Sequence, residues 1–246
     1  MLPPPPDGHA PGFGDFDSLA PRWGSGDAAL AFAIGLAGAV VVAIAYPLLT
    51  GTANAEALKS DLWFTIATVV AQQVAIIAAC LWLVQTKGSN PRTALGIRIL
   101  PIDLVCIPIG IVCSIAAGLV VAPIQNIGKH HTQEIVNRLN EAHGVVLIAF
   151  AFVVMVAAPV SEELLFRGVL LRSLQRRTTS MNAIMISGGI FAVTHALDPE
   201  AIVALPALFA FGMLLAVVAL RTGRLGTTMC LHLGFNALAV IGAFAK

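Results

Sequence analysis

Charge is the first thing this sequence has little of. Asp, Glu, Lys and Arg make up 11% of its 246 residues, against 58% hydrophobic residues and a mean hydropathy of +0.89. Soluble domains carry about 25% charged residues, so a soluble globule is excluded and a polytopic membrane protein is expected. Lipid leaves a backbone no partner but itself, so only a helical bundle or a closed barrel is available. Segments of alternating polarity are missing too. The apolar runs are long and continuous, which argues against a barrel. A formal net charge of +1 offers nothing to a polyanion, and no nucleic-acid partner is expected. The four cysteines, Cys80, Cys106, Cys113 and Cys230, all fall in apolar runs and read as packing residues, not a disulfide framework. No basic stretch leads into a short apolar core at the N-terminus, so no cleavable signal peptide is expected. Two catalytic signatures are absent. Without His-Glu-x-x-His there is no standard zinc-protease helix, and without Gly-x-Ser-x-Gly there is no serine nucleophile elbow.

What is present divides into a tail and about seven transmembrane helices. Residues 1–26 are rich in Pro, Gly and Asp and read as a disordered tail. Spans are expected at about 28–49, 61–85, 103–124, 145–175, 181–197, 199–220 and 226–244. There are eight if the fourth divides at Pro159, where a kink is expected. Gln72 and Gln73 lie inside the second span and suit interhelical hydrogen bonds. Residues 125–143 form the longest polar interruption, with Ile135, Val136 and Leu139 spaced as on a short amphipathic helix at the interface. His130, His131, Glu134 and His143 fall here, but without a distinctive ligand spacing. Asp198-Pro199-Glu200 reads as cap, first-turn proline and dipole-matched acid. With the tail inside and seven spans, Arg22, Lys87, Arg92, Arg98, Arg172, Arg176, Arg177, Arg221 and Arg224 share one side. Only Lys59, Lys129, Arg138 and Lys246 face the other. That distribution predicts a cytoplasmic N-terminus in a cell-membrane protein.

Within the spans the charged residues away from the ends are Glu162, Glu163 and Arg167. Ionisable groups in hydrocarbon are costly and mark function. Glu163 and Arg167 stand i, i+4 on a helix and pair, a structural role. Glu162 points about 100° away with no local cation. His232 and Asn236 share a face, as do Phe191 and His195. Measured along their helices, His232 lies ~12 Å and Asn236 ~18 Å from the Arg224 turn, and Glu162 ~15 Å from Arg172. His195, ~21 Å from Met181, is set deeper. One carboxylate, two imidazoles and an amide can converge from three helices. That set suits water attack on a carbonyl, with Glu162 as base and imidazole or amide groups stabilising an oxyanion. His195 alone suits a structural hydrogen bond equally well, and Phe191 suits packing. On the residues alone, an enzyme and an ion-relay transporter stand level, although no internal repeat of the transporter kind is visible.

The ordered set Glu162-Glu163-x-x-x-Arg167, Phe191-x-x-x-His195 and His232-x-x-x-Asn236 resembles the type II CAAX prenyl protease family, also called CPBP or ABI intramembrane proteases, over about residues 100–244. The resemblance implies an all-helical intramembrane endopeptidase. Residues 27–100 would be accessory transmembrane helices and 101–246 the protease-like membrane domain. It implies Glu162 as the base activating water with His195 beside it, and His232 and Asn236 as oxyanion stabilisers. Glu163, Arg167 and Phe191 would support the site. The expected substrate is a membrane-associated or lipidated protein or peptide in the bilayer. No cofactor is expected; the alternative is zinc or another divalent metal on Glu162, His195 and His232. The alternative function is a non-catalytic membrane-binding or bacteriocin-immunity module, which the roles of bacterial relatives suggest.

Overall fold

In a computed structural model, residues 22–52, 54–128 and 134–245 are described; among them helices joined by short turns form and no strand does. The helices are α1 (Ser25–Thr50), α2 (Ala55–Ser60), α3 (Leu62–Thr86), α4 (Cys106–Gly128) and α5 (Glu134–Glu141). A continuous α6 spans Gly144–Gln175, followed by α7 (Ser180–His195), α8 (Leu205–Thr222) and α9 (Leu225–Phe244). Six helical stretches are long and apolar enough to cross a membrane, so the protein is a multi-pass integral membrane helical bundle. The expected fifth span is α7, which at 16 residues is shorter than those six.

Local chemistry sets the helix ends. The Asp61 carboxylate accepts from the amides of Trp63 and Phe64 and so caps α3. Thr179 caps α7 through the Asn182 amide. Gly51 and Gly223 end α1 and α8 in left-handed conformation, φ 71° and 65°, where a Cβ is disfavoured. Asp198-Pro199-Glu200 starts a 3₁₀ turn over Pro199–Ala204, and the α-helix proper begins only at Leu205.

Two expectations change. The fourth span does not divide at Pro159. It stays one helix because two π-helical stretches, Val153–Ala157 and Glu163–Leu170, flank the α-turn that holds the proline. Widening the helix there absorbs the hydrogen bond that proline cannot donate. Residues 23–26, expected in the tail, also take part in the fold, since α1 begins at Ser25. Trp23 is 2% exposed and its indole donates to the Val169 carbonyl at 3.0 Å. The rest of the expected tail, residues 1–21, lies outside the described residues. So do His130 and His131 and the side chain of Glu134; His143 is exposed at the start of α6.

The larger apolar core includes Trp23, Leu95, Leu171 and Leu225. A smaller one at the opposite end joins Ile66, Leu139, Phe150 and Val240, so the apolar face of α5 is buried against the bundle. Outward side chains such as Val41, Leu119 and Phe152 are exposed and apolar, as a lipid-facing surface requires. Helices α4 and α9 touch backbone to backbone. A Cβ on Gly110 would meet the Leu231 carbonyl, and one on Gly234 the Ile107 carbonyl. Such close approach between membrane helices depends on small residues.

Basic residues gather at one end. Lys87 pairs with Asp27 at 3.1 Å, and Arg172 donates to the Gly223 carbonyl at 3.1 Å. Arg224 bonds the buried Asp103 at 2.8 Å. Asp103 also accepts from Thr227 and the Leu100 amide, which ties the turn before α4 to the start of α9. Away from this end, the middle of α6 and of α9 and the C-terminal turn of α7 line a cavity together with α1 and α3.

Candidate active site

The charged cluster is built on α6. Glu163 and Arg167 are both fully buried, with Oε1 and Nη1 2.9 Å apart, so the i, i+4 pairing expected from sequence forms. Arg167 also donates through Nη2 to the Gly212 carbonyl on α8 at 3.0 Å. Its guanidinium lies over the Phe191 ring, 4.6 Å from the centroid, in cation–π geometry. Burying an ion pair is stabilising only when further hydrogen bonds support it; α7 and α8 supply these contacts, while Glu163 Oε2 and Arg167 Nε stay buried with no hydrogen-bond partner among the described residues.

Glu162, one residue earlier, faces a cavity of about 510 Å³. His195, His232 and Asn236 line the same cavity, so the four candidate catalytic residues stand on one wall system despite their unequal depths along their helices. His232 is nearly buried and lies between the two glutamates. Its Nδ1 is 2.9 Å from Glu163 Oε1, and its Nε2 is 3.7 Å from Glu162 Oε2. Sequence reasoning paired Glu163 with Arg167 alone, so this second partner is new. The Glu162 Oε2 atom is buried with no hydrogen-bond partner among the described residues.

His195 ends α7, where Nδ1 is 2.9 Å from the Phe191 carbonyl one turn back. That contact orients the ring and leaves Nε2 for the cavity. Asn236 donates through Nδ2 to the Val154 carbonyl at 2.9 Å. The acceptor lies in the first π-helical stretch of α6, where the widened ladder frees carbonyls. One N–H of the amide remains for another acceptor.

Phe191 is a hub. Its ring, with no exposure, contacts Phe166 at 5.4 Å, His195 at 4.8 Å and His232 at 5.8 Å between centroids. It therefore packs the arginine and both imidazoles together. Phe211 touches His232 from the other side at 5.5 Å. Sequence reasoning missed Phe211, and nothing in its local pattern marks it among the 12 phenylalanines. It also left open the partner of Gln73, which is Ser161, the residue before Glu162.

Among the described residues, no group of three or more His, Cys, Asp or Glu side chains is gathered as a metal-holding cluster. The alternative set Glu162, His195 and His232 shares the cavity wall without forming such a group.

The fold and this wall define a class: a polytopic helical membrane protein with a carboxylate–imidazole cavity between its spans. Residues 144–238 match the family model described as type II CAAX prenyl endopeptidase Rce1-like, the family the three motifs resemble, and all seven candidate site and supporting residues lie within that segment. No curated protein and no solved structure matches the chain.

Proposed function

We propose that the protein is an intramembrane endopeptidase that hydrolyses a peptide bond of a membrane-associated or lipidated protein or peptide. The observation that carries the reading is Glu162 Oε2 facing His232 Nε2 across 3.7 Å at the wall of the cavity. At that separation the two atoms are not bonded to each other, yet a water oxygen ~2.8 Å from each would bridge them.

In this reading Glu162 takes a proton from the water as its oxygen attacks the scissile carbonyl carbon. The carbonyl electron pair moves onto oxygen. The free N–H of Asn236 and the Nε2–H of His232 stabilise that oxyanion. His232 already engages Glu163 through Nδ1, so it donates from Nε2 when the ring carries both protons. The Glu163 carboxylate at Nδ1 and the oxyanion at Nε2 balance that charge. As the C–N bond breaks, the proton held by Glu162 passes to the leaving amine, with His195 beside it to relay. Glu163, Arg167 and Phe191 hold these groups in place.

No step is assigned to a metal, because a Glu162 that ligated one would no longer be free as base. The positions of the basic residues support a cell-membrane protein with a cytoplasmic N-terminus.

The test compares native membranes containing wild type or Glu162→Gln by terminal-peptide mass spectrometry. New protein termini present only with wild type are expected. Identical termini with Glu162→Gln well expressed would overturn the reading and leave a membrane-binding or immunity module in its place.

A further inference from the structure

A peptide cut inside a membrane must be extended at the scissile bond, so it arrives with backbone N–H and C=O groups that have lost their helical partners. Each unpartnered group is costly in a low-dielectric site. The enzyme has to supply replacements.

The α3 wall of the cavity has two carboxamides that fit this need. Gln72 and Gln73 both line it, among apolar neighbours Phe32, Leu36, Val69 and Ile76 from α1 and α3. Gln73 is 8% exposed and accepts from the Ser161 hydroxyl, which fixes it beside Glu162. That bond is the interhelical role expected of a glutamine in a span. Gln72 is different. It is partly buried, and its carboxamide has no hydrogen-bond partner among the described residues. Neither atom of its carboxamide is sealed in the protein, so the group is open to a ligand that enters the cavity. A carboxamide presents one C=O acceptor and one NH₂ donor, the complement of a peptide group's own N–H and C=O.

We propose that Gln72, supported by Gln73, is a backbone-binding subsite that holds the extended substrate strand against the α3 wall of the cavity. This inference rests on the peptidase reading. It assigns part of the substrate site to a helix outside the segment 144–238 that carries the family pattern.

The experiment measures binding of N-acetyl-trileucine amide to detergent-solubilised full-length protein by tryptophan fluorescence. Its partner probe is the same peptide methylated at the central amide nitrogen. Wild type is expected to bind the first peptide at least fivefold more tightly than the second. Gln72→Leu is expected to bind both as weakly as wild type binds the methylated one. No peptide binding by wild type, equal binding of the first peptide by Gln72→Leu, or additive losses would overturn the subsite.

Glu162→Gln is measured alongside. Normal peptide binding with lost cleavage of membrane substrates supports both proposals. Retained cleavage by Glu162→Gln with weakened binding by Gln72→Leu removes the mechanism and keeps the subsite. Lost cleavage by Glu162→Gln with normal binding by Gln72→Leu removes the subsite alone.

Discussion

Removing the Glu163 side chain strands two buried groups at once. Arg167 loses the carboxylate 2.9 Å from Nη1, and His232 loses the acceptor 2.9 Å from Nδ1. Arg167 has no exposed surface, so water cannot replace the lost partner. Breaking a buried pair from one side costs about 3–5 kcal/mol. For a chain of this size that corresponds to a fall in midpoint of roughly 6–20 °C. The assay is thermal unfolding of Glu163→Ala in detergent, followed by tryptophan fluorescence. The double variant Glu163→Ala/Arg167→Met is the control, because replacing a whole buried pair with apolar side chains is often neutral or stabilising. It should recover much of the lost midpoint while remaining inactive, since His232 still lacks its acceptor. A Glu163→Ala protein that melts within about 2 °C of wild type would refute the reasoning, as would a double variant less stable than the single one.

Other consequences follow from the same contacts. Gly234→Ala pushes a methyl group into the Ile107 backbone; overpacking of this kind costs about 1–3 kcal/mol, and a lowered midpoint with reduced cleavage is expected because α9 carries His232 and Asn236. Asn236→Leu removes the amide donor and should lower kcat roughly 10²- to 10³-fold, the usual effect of losing one oxyanion donor; an unchanged kcat would remove Asn236 from the oxyanion site. Dialysis of purified protein against EDTA should leave cleavage intact, and loss of activity restored by zinc would return the metal alternative.

Much of the site was legible because helical spacing is arithmetic. Glu163 to Arg167, Phe191 to His195 and His232 to Asn236 each lie four residues apart, and each pair occupies one helix face. What was not legible depends on contacts across the bundle. Nothing local to His232 says that its ring fits between two glutamates 69 and 70 positions away, or that Phe211 closes on it. Pro159 signalled a break, but the sequence does not state that two π-helical stretches absorb it and keep α6 continuous. Trp23 fell in a Pro- and Gly-rich stretch, yet its indole is anchored 146 residues away on Val169. The bond between Gln73 and Ser161 likewise joins residues 88 positions apart. Spacing restricts which faces can meet; packing of α1, α3 and α9 on α6 decides which ones do.

The central claim is that Glu162 activates the attacking water, and purified protein in liposomes tests it most directly. A substrate identified by the membrane comparison would be incubated with wild type and with Glu162→Gln, and cleavage and melting midpoint measured on the same preparations. Loss of a general base lowers the rate roughly 10²- to 10⁴-fold. The account predicts a loss in that range with a nearly unchanged midpoint, because Glu162 lines the cavity and the Glu163–Arg167 hydrogen bond does not use it. A Glu162→Gln protein that cleaves within a few-fold of wild type would contradict it.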